Sequence, residues 1–209
     1  MQNLLTVAID LDETLAGTFE RIFEFGRNKF EWNIPFEEAV VQHDWWKIPG
    51  LGLTEAMAYQ LFDEYFLEDP ENSLVPLVSG ARDGVMRLRE MGHATHIITA
   101  RTESLRKNAT KAWLARYLPE FDFNNQVHFT NHYEASGART KGEVCQSIGA
   151  KILIDDNLEF LHSAASLGIH GILLDKPWNQ NGNLHKNITR VAHWNEVPAL
   201  IQEYSKRLS

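Results

Sequence analysis

An apolar run, Leu4-Leu5-Thr6-Val7-Ala8-Ile9, ends in two carboxylates one residue apart, Asp10 and Asp12, followed by Glu13 and Thr14. A second run, His96-Ile97-Ile98, ends in Thr99-Ala100-Arg101, and a third, Ile152-Leu153-Ile154, ends in Asp155-Asp156. Lys141 lies a little beyond a further run, Gln126 to Thr130. These are hard oxygen donors with no histidine or cysteine cluster beside them, a set that suits magnesium rather than zinc. Lys141 adds a fixed cation, and the Thr99 hydroxyl with the backbone N–H groups around Ala100 adds donors for a phosphoryl group.

These side chains can act together only if the elements carrying them bring the run ends to one edge. The runs Leu4–Asp10, Ala94–Ala100, Gln126–Thr130, Lys151–Asp156 and His170–Asp175 are short and apolar and read as five buried strands. Between them the spacing predicts helices over Ala81–Met91, Glu103–Leu118, Thr140–Ile148 and Leu158–Leu167, with Gly92, Pro119, Gly149 and Gly168 as stop signals. Such alternation implies an α/β fold, a Rossmann-like parallel sheet with helices on both faces, whose ligands bind beyond the carboxyl ends of the strands. At least three carboxylates would then crowd together. Two unit charges ~5 Å apart repel by about 3 kcal/mol at an effective dielectric near 20, so positive charge has to be present.

Residues 17–76 break the alternation. They read as helices over about Thr18–Phe30, Pro35–His43 and Thr54–Leu67, with Thr54 as N-cap and Asp69-Pro70 as exit. The chain thus divides into an α/β core, 1–16 and 77–209, and a helical insertion, 17–76. The insertion is rich in aromatics, most of which are expected to form its own core.

Composition narrows the class of partner. The formal net charge of −8 opposes contact with polymeric nucleic acid, whose affinity comes from lysine and arginine neutralising phosphates, but leaves room for a small phosphorylated substrate beside a metal. No apolar stretch approaches a membrane span and no signal peptide is recognisable, so a cytoplasmic protein is expected. The lone Cys145 reads as a small buried side chain on a helix. Oligomeric state leaves no mark on this pattern.

Three other features read as bystanders. Arg101 suits either an ion pair with a carboxylate or phosphate, or a solvated place at a helix start, and stays outside the catalytic set. His128 and His132 are four apart but on a strand end and loop, so they share no helical face as metal ligands. The string Gly137-Ala138-Arg139-Thr140-Lys141-Gly142 lacks the glycine spacing and the following Ser/Thr of a nucleotide triphosphate loop.

A lone Asp-x-Asp after a strand is commonly a turn or cap. Four polar clusters in this order are more specific, and the chain resembles the haloacid dehalogenase superfamily of phosphohydrolases from Thr6 to about Asp175. The resemblance implies that Asp10 is the nucleophile forming an aspartyl phosphate and that Asp12 is the general acid/base, with its pKa raised towards working pH. It implies phosphate binding by Thr99, Ala100 and Lys141. It assigns Mg²⁺ to the Asp10 side chain, the Asp12 carbonyl and one of Asp155 and Asp156, with Asp156 favoured as direct ligand and Asp155 holding Lys141 or a metal-bound water. The second aspartate, Asp12, favours phosphoryl chemistry over carbon–halogen cleavage. Glu13 departs from the pattern, since many relatives have glycine there.

Within that superfamily the helical insertion implies a cap that selects substrate. The overall length, the helical cap, Ile98-Thr99-Ala100-Arg101 and the Pro177-Trp178-Asn179 loop after the last strand are similar to the deoxyribonucleotidase-like 5′-nucleotidases. The implied function is a Mg²⁺-dependent phosphomonoesterase for a nucleoside or deoxynucleoside 5′-monophosphate, with Phe19, Trp45 and Trp46 as candidates to stack on the base. The rival expectations are a phosphatase for a sugar phosphate or other small ester, and a non-catalytic phosphate-binding or regulatory protein on the same fold.

Overall fold

The computed structural model describes residues 3–69, 75–132 and 136–207. Six parallel strands form one sheet: β1 (Thr6–Ile9), β2 (Ala94–Thr99), β3 (Val127–Phe129), β4 (Ile152–Asp155), β5 (His170–Leu174) and β6 (Ile188–Val191), in the spatial order β3-β2-β1-β4-β5-β6. The β1 strand pairs with β2 on one side, Ile9 opposite Ile97, and with β4 on the other, Ile9 opposite Ile154. The order of the strands reverses at β1, the place where open parallel sheets hold ligands.

Successive strand residues face opposite sides, and both sides are buried, which is why these runs are uniformly apolar rather than alternating. Val7, Ile9, Ile97, Ile152 and Ile154 belong to one core cluster, and Ala8, Ile98, Leu153 and Leu173 to the other. Of the helices, α1 (Thr18–Phe30), α2 (Phe36–Ala39), α3 (Glu55–Glu68), α4 (Ala81–Glu90), α5 (Glu103–Tyr117) and α9 (Val197–Arg207) give residues to the first cluster or pack against it. The short α6 (Phe123–Gln126) leads into β3, while α7 (Lys141–Ser147) and α8 (Leu158–Ser166) cover the second face, with Cys145 fully buried there. Gly92, Gly149 and Gly168 end their helices at φ 88°, 71° and 81°, the left-handed region that glycine enters without a Cβ penalty.

Three differences from the sequence expectations have physical causes. The strand β6 went unread because Ile188-Thr189-Arg190-Val191 is a four-residue edge strand with a polar middle, so Pro177-Trp178-Asn179 joins β5 to β6 rather than following the last strand. The helix α2 stops at Ala39 instead of running to His43. Val40 leaves helical geometry (ψ 65°) with its side chain buried, and a 3₁₀ turn at Trp45–Lys47 then delivers Trp45 to the interior. The aromatic rings of residues 19–66 contact one another, as Phe23 does Trp32 and Trp45 does Phe62. Their cluster is nevertheless continuous with the core under α4 and α5 rather than closed on itself. Thr54 caps α3 as expected, accepting from the Met57 N–H, whereas Pro70 lies outside the described residues.

The helical segment leaves and rejoins the core at one point: the Gly17 N–H donates to the Pro76 carbonyl at 2.9 Å, and Ala16 bridges Leu77.

Candidate active site

The strand ends converge as parallel topology requires. Asp10 directly follows β1, its N–H donating to the Ile154 carbonyl at 2.9 Å, and Asp155 ends the adjacent β4. One ligand oxygen from each of Asp10, Asp155 and Asp156 lies within 4.8 Å of the other two, all three residues buried. Lys141 opens α7, whose start is set by a capping box between Thr140 and Glu143. Its ammonium, 2% exposed, donates to Asp10 Oδ1 at 2.6 Å and Asp155 Oδ2 at 2.7 Å, with Nζ 4.3 Å from the centre of the Phe160 ring.

Charge is not balanced in this group. Burial pushes the Asp10 carboxyl well above its ordinary range; Lys141 opposes that, and Asp155, Asp156 and Asp12 add to it. Asp155 is raised for the same reasons, burial first, then Lys141 against and Asp156 in favour. The lysine itself is also raised: burial would lower it, but the two carboxylates prevail. One lysine cannot keep this many buried carboxylates ionised, and the excess negative charge on hard oxygens is what a divalent cation would offset. The acidic group therefore fits such an ion.

Asp156 is held from two sides, its Oδ1 accepting from Thr14 Oγ1 at 3.3 Å and its Oδ2 from Trp178 Nε1 at 2.7 Å. Asn179 donates to the Asp156 carbonyl at 2.8 Å, which gives the loop after β5 a structural reason for its Trp-Asn pair. Thr14 is fixed in turn, its carbonyl accepting from Trp194 Nε1 at 2.7 Å. Trp194 reaches it because α4 has a glycine at position 84, where a Cβ would come within 2.5 Å of the indole.

Arg101 is not a solvated residue at a helix start. It is 1% exposed, and its Nε and Nη2 fork onto Asp12 Oδ2 and Oδ1 at 2.8 and 2.7 Å. Thr18 Oγ1 also donates to Asp12 Oδ1, at 2.6 Å. Burial would raise the Asp12 pKa, but the Arg101 charge and the hydrogen bonds from Arg101 and Thr18 outweigh it, so the carboxyl sits below its ordinary value. The raised pKa expected for this residue is thus corrected, because a bidentate guanidinium favours the charged form. The partner lay 89 positions away in sequence, so only the strand-end placement of both residues could have suggested the pair.

Glu13, at the position where many relatives of the resembled superfamily have glycine, takes a left-handed backbone (φ 60°), and its side chain is buried. Its Oε1 accepts from the Phe19 N–H at 2.6 Å, and Lys176 Nζ lies 3.8 Å from Oε2. Burial dominates the balance and pushes its pKa to about 7.

Over the strand ends lies a cavity of about 280 Å³ lined by Asp10, Asp12, Ala100, Lys141, Asp155 and Asp156 below and by aromatics of the helical segment above. Thr99 does not line it; fully buried at the end of β2, its hydroxyl accepts from the Arg101 N–H at 3.2 Å. Phe19, Trp45 and Trp46 all reach the wall. Trp45 is 1% exposed among Phe19, Phe23, Trp32 and Phe62, which leaves it little free face, and Phe19 packs 5.0 Å from Trp178. Trp46, beside Tyr59, is only partly buried. His43, Phe62, Phe66 and Arg106 line the same cavity, and no motif marked them in the sequence; His132, read there as a bystander, also lines it.

Comparison with known proteins agrees with this arrangement. Residues 3–208 match the family model described as 5′ nucleotidase, deoxy (Pyrimidine), cytosolic type C protein. A protein of Oceanobacillus iheyensis named "Putative nucleotidase" is 25% identical over 199 residues, 92% of this chain and 97% of that one. A haloacid dehalogenase-like hydrolase from Xanthomonas campestris superposes with a TM-score of 0.62 at 14% identity, covering 99% and 100% of the two chains. A haloacid dehalogenase-like protein from Agrobacterium tumefaciens superposes with a TM-score of 0.67 at 11% identity, covering 97% and 100%. The chain belongs to the cytosolic type C 5′(deoxy)nucleotidase family, hydrolases of phosphoric monoesters built on the haloacid dehalogenase-like fold.

Proposed function

We propose that the protein is a Mg²⁺-dependent phosphatase that hydrolyses nucleoside or deoxynucleoside 5′-monophosphates through a phosphorylated Asp10. The observation that carries this reading is the under-neutralised group Asp10, Asp155, Asp156 and Lys141 at the floor of an aromatic-walled cavity. Asp10, Asp156 and the Asp12 carbonyl would hold the ion, with Asp155 orienting Lys141. When bound, Mg²⁺ supplies a Lewis acid that offsets charge on the phosphoryl oxygens.

The chain's own residues do the rest. An Asp10 oxygen attacks phosphorus as the bond to the leaving oxygen breaks; Asp12, held in its charged form by Arg101 in the free protein, takes the proton that a monoanionic phosphate ester brings with it and hands it to the departing oxygen. In the second half-reaction water attacks the aspartyl phosphate, its proton passing to Asp12, and inorganic phosphate leaves. Lys141 holds Asp10 in place and neutralises the phosphoryl group, with backbone N–H groups near Thr99 and Ala100 as further donors. Residues 17–76 act as a cap that shields the intermediate from bulk water. Of Phe19, Trp45 and Trp46, only Trp46 is partly rather than fully buried, which leaves it the most face to offer a base. The family match and a cavity of nucleotide size favour this substrate over a sugar phosphate. The absence, among the described residues, of a helix long and apolar enough to cross a membrane accords with a cytoplasmic enzyme.

Phosphate release from a panel of nucleotides and sugar phosphates, with and without Mg²⁺, tests the proposal. Turnover of nucleoside monophosphates that falls at least about a thousandfold in Asp10→Asn is expected. Activity confined to sugar phosphates would remove the substrate assignment, and an unimpaired Asp10→Asn the covalent route.

A further inference from the structure

Arg101 is more completely engaged than a charge-balancing residue needs to be. Beyond the fork onto Asp12, its Nη1 donates to Thr110 Oγ1 at 2.9 Å, and Thr110, fully buried on α5, donates in turn to the Arg106 carbonyl at 2.8 Å. The guanidinium lies over the Phe66 ring with its carbon 4.5 Å from the centre, and Arg106 lies over the same ring at 4.8 Å while pairing with Asp63 at 2.5 Å. Phe66 and Asp63 belong to α3, Thr110 and Arg106 to α5, and Asp12 to the loop after β1. One side chain therefore registers three parts of the molecule against a single carboxylate.

Of the strand-end acids Asp10, Asp12, Asp155 and Asp156, Asp12 has the most open side chain, 28% exposed, while Lys141 holds Asp10 and Asp155 out of solvent. A partly open carboxylate free to turn about χ1 and χ2 would sample several directions. A planar fork on both oxygens removes that freedom in a way a lysine could not.

We propose that Arg101 is a positioning residue: it aims the Asp12 carboxylate across the cavity at the leaving-group oxygen, and Thr110 and Phe66 keep Arg101 in that attitude. The inference rests on the phosphomonoesterase reading, in which Asp12 protonates the departing oxygen. It distinguishes Arg101 from a phosphate ligand, which would bind substrate, and from a purely structural ion pair, which would be indifferent to what leaves.

The test uses leaving groups of graded basicity, from p-nitrophenyl to p-methoxyphenyl phosphate and then a nucleoside monophosphate, in single-turnover reactions with Mg²⁺. A p-nitrophenolate departs without a proton, whereas an alkoxide needs one. Arg101→Met should slow release of the most basic leaving groups about tenfold to a hundredfold while p-nitrophenolate release changes little, so the rate falls more steeply with basicity than in the wild type. The KM should stay within about threefold, and Arg101→Lys, with charge but no fork, should recover only part of the loss. Thr110→Val, which touches neither cavity nor Asp12, should steepen the same dependence by a smaller factor, and it carries the test if Arg101→Met does not fold.

An equal loss across the whole series, or a raised KM with an unchanged dependence, would overturn the inference. So would a Thr110→Val protein indistinguishable from wild type. A wild-type protein that hydrolyses no phosphomonoester would instead remove the proposed function, and the inference with it.

Discussion

Two buried cations divide the candidate site, and they leave their carboxylates in opposite conditions. Lys141 is shared between Asp10 and Asp155, with Asp156 close by, and the two acids it touches are pushed upward despite it. Arg101 forks onto both oxygens of Asp12, and Asp12 is pushed downward. Burial raises the carboxyls in both halves, so what differs is the ratio of cation to carboxylate and the geometry of the contact. A point charge divided among crowded acids leaves a deficit that an added cation can fill. A fork devoted to one acid leaves none, and serves orientation instead.

The largest expected effect breaks the first half. Lys141→Met strands two buried carboxylates, and urea denaturation at pH 7 without added metal should show a loss of about 3–5 kcal/mol. Part of that loss should return in the double variant with Asp155→Asn, which removes one of the stranded charges. Additivity of the two substitutions would mean that Lys141 and Asp155 are not coupled.

Glu13 sharpens the comparison because it lies between the halves with only a distant lysine. Its carboxyl ordinarily titrates near 4.5 but is pushed to about 7 in the folded protein. Below 4.5 both states are protonated. Between 4.5 and about 7 the folded protein keeps a proton that the unfolded chain has released, so its contribution to stability falls as pH rises through that window and is flat above it. Glu13→Gln retains an acceptor for the Phe19 N–H and should be more stable than wild type by about 3 kcal/mol at pH 8 but equal near pH 4.5. Parallel stability profiles for the two proteins would show that the side chain is not buried as a neutral acid.

The smallest effect separates the halves directly. Thermal unfolding with Mg²⁺ at about a hundred times its dissociation constant should show a stabilisation of about 2.7 kcal/mol. Asp156→Asn should lose that gain and Arg101→Met should keep it. The reverse pattern would place the cation on the wrong side of the site.

The half built on Lys141 was the more legible in the sequence. Asp10, Asp155 and Asp156 end runs of buried β-branched and aliphatic residues, and parallel pairing brings such ends together whatever the loops do. Lys141 was legible as a lysine just beyond the third strand, and the capping box at Thr140 then sets its place at the start of α7. Arg101 was underrated because a single arginine after a strand has no periodic signature and its partner belongs to another loop. Glu13, His43 and Phe66 were missed or left undefined for a related reason: their placement depends on how residues 17–76 seat, and aromatic-rich segments offer many alternative packings of similar hydrophobic gain. The shortened α2 and the polar edge strand β6 show the same limit, since tertiary contacts decide them more than local pattern does.

The single hydrogen bond from Gly17 to Pro76 has a consequence for engineering and for descent. Because the excursion starts and finishes at touching backbone positions, its removal and closure by a tight turn would cut no strand and shift no register. The sheet can therefore accept loops of very different size at this junction, but a foreign module spliced there would have to resupply the hydroxyl that Thr18 gives Asp12 and the ring that Phe66 sets under Arg101.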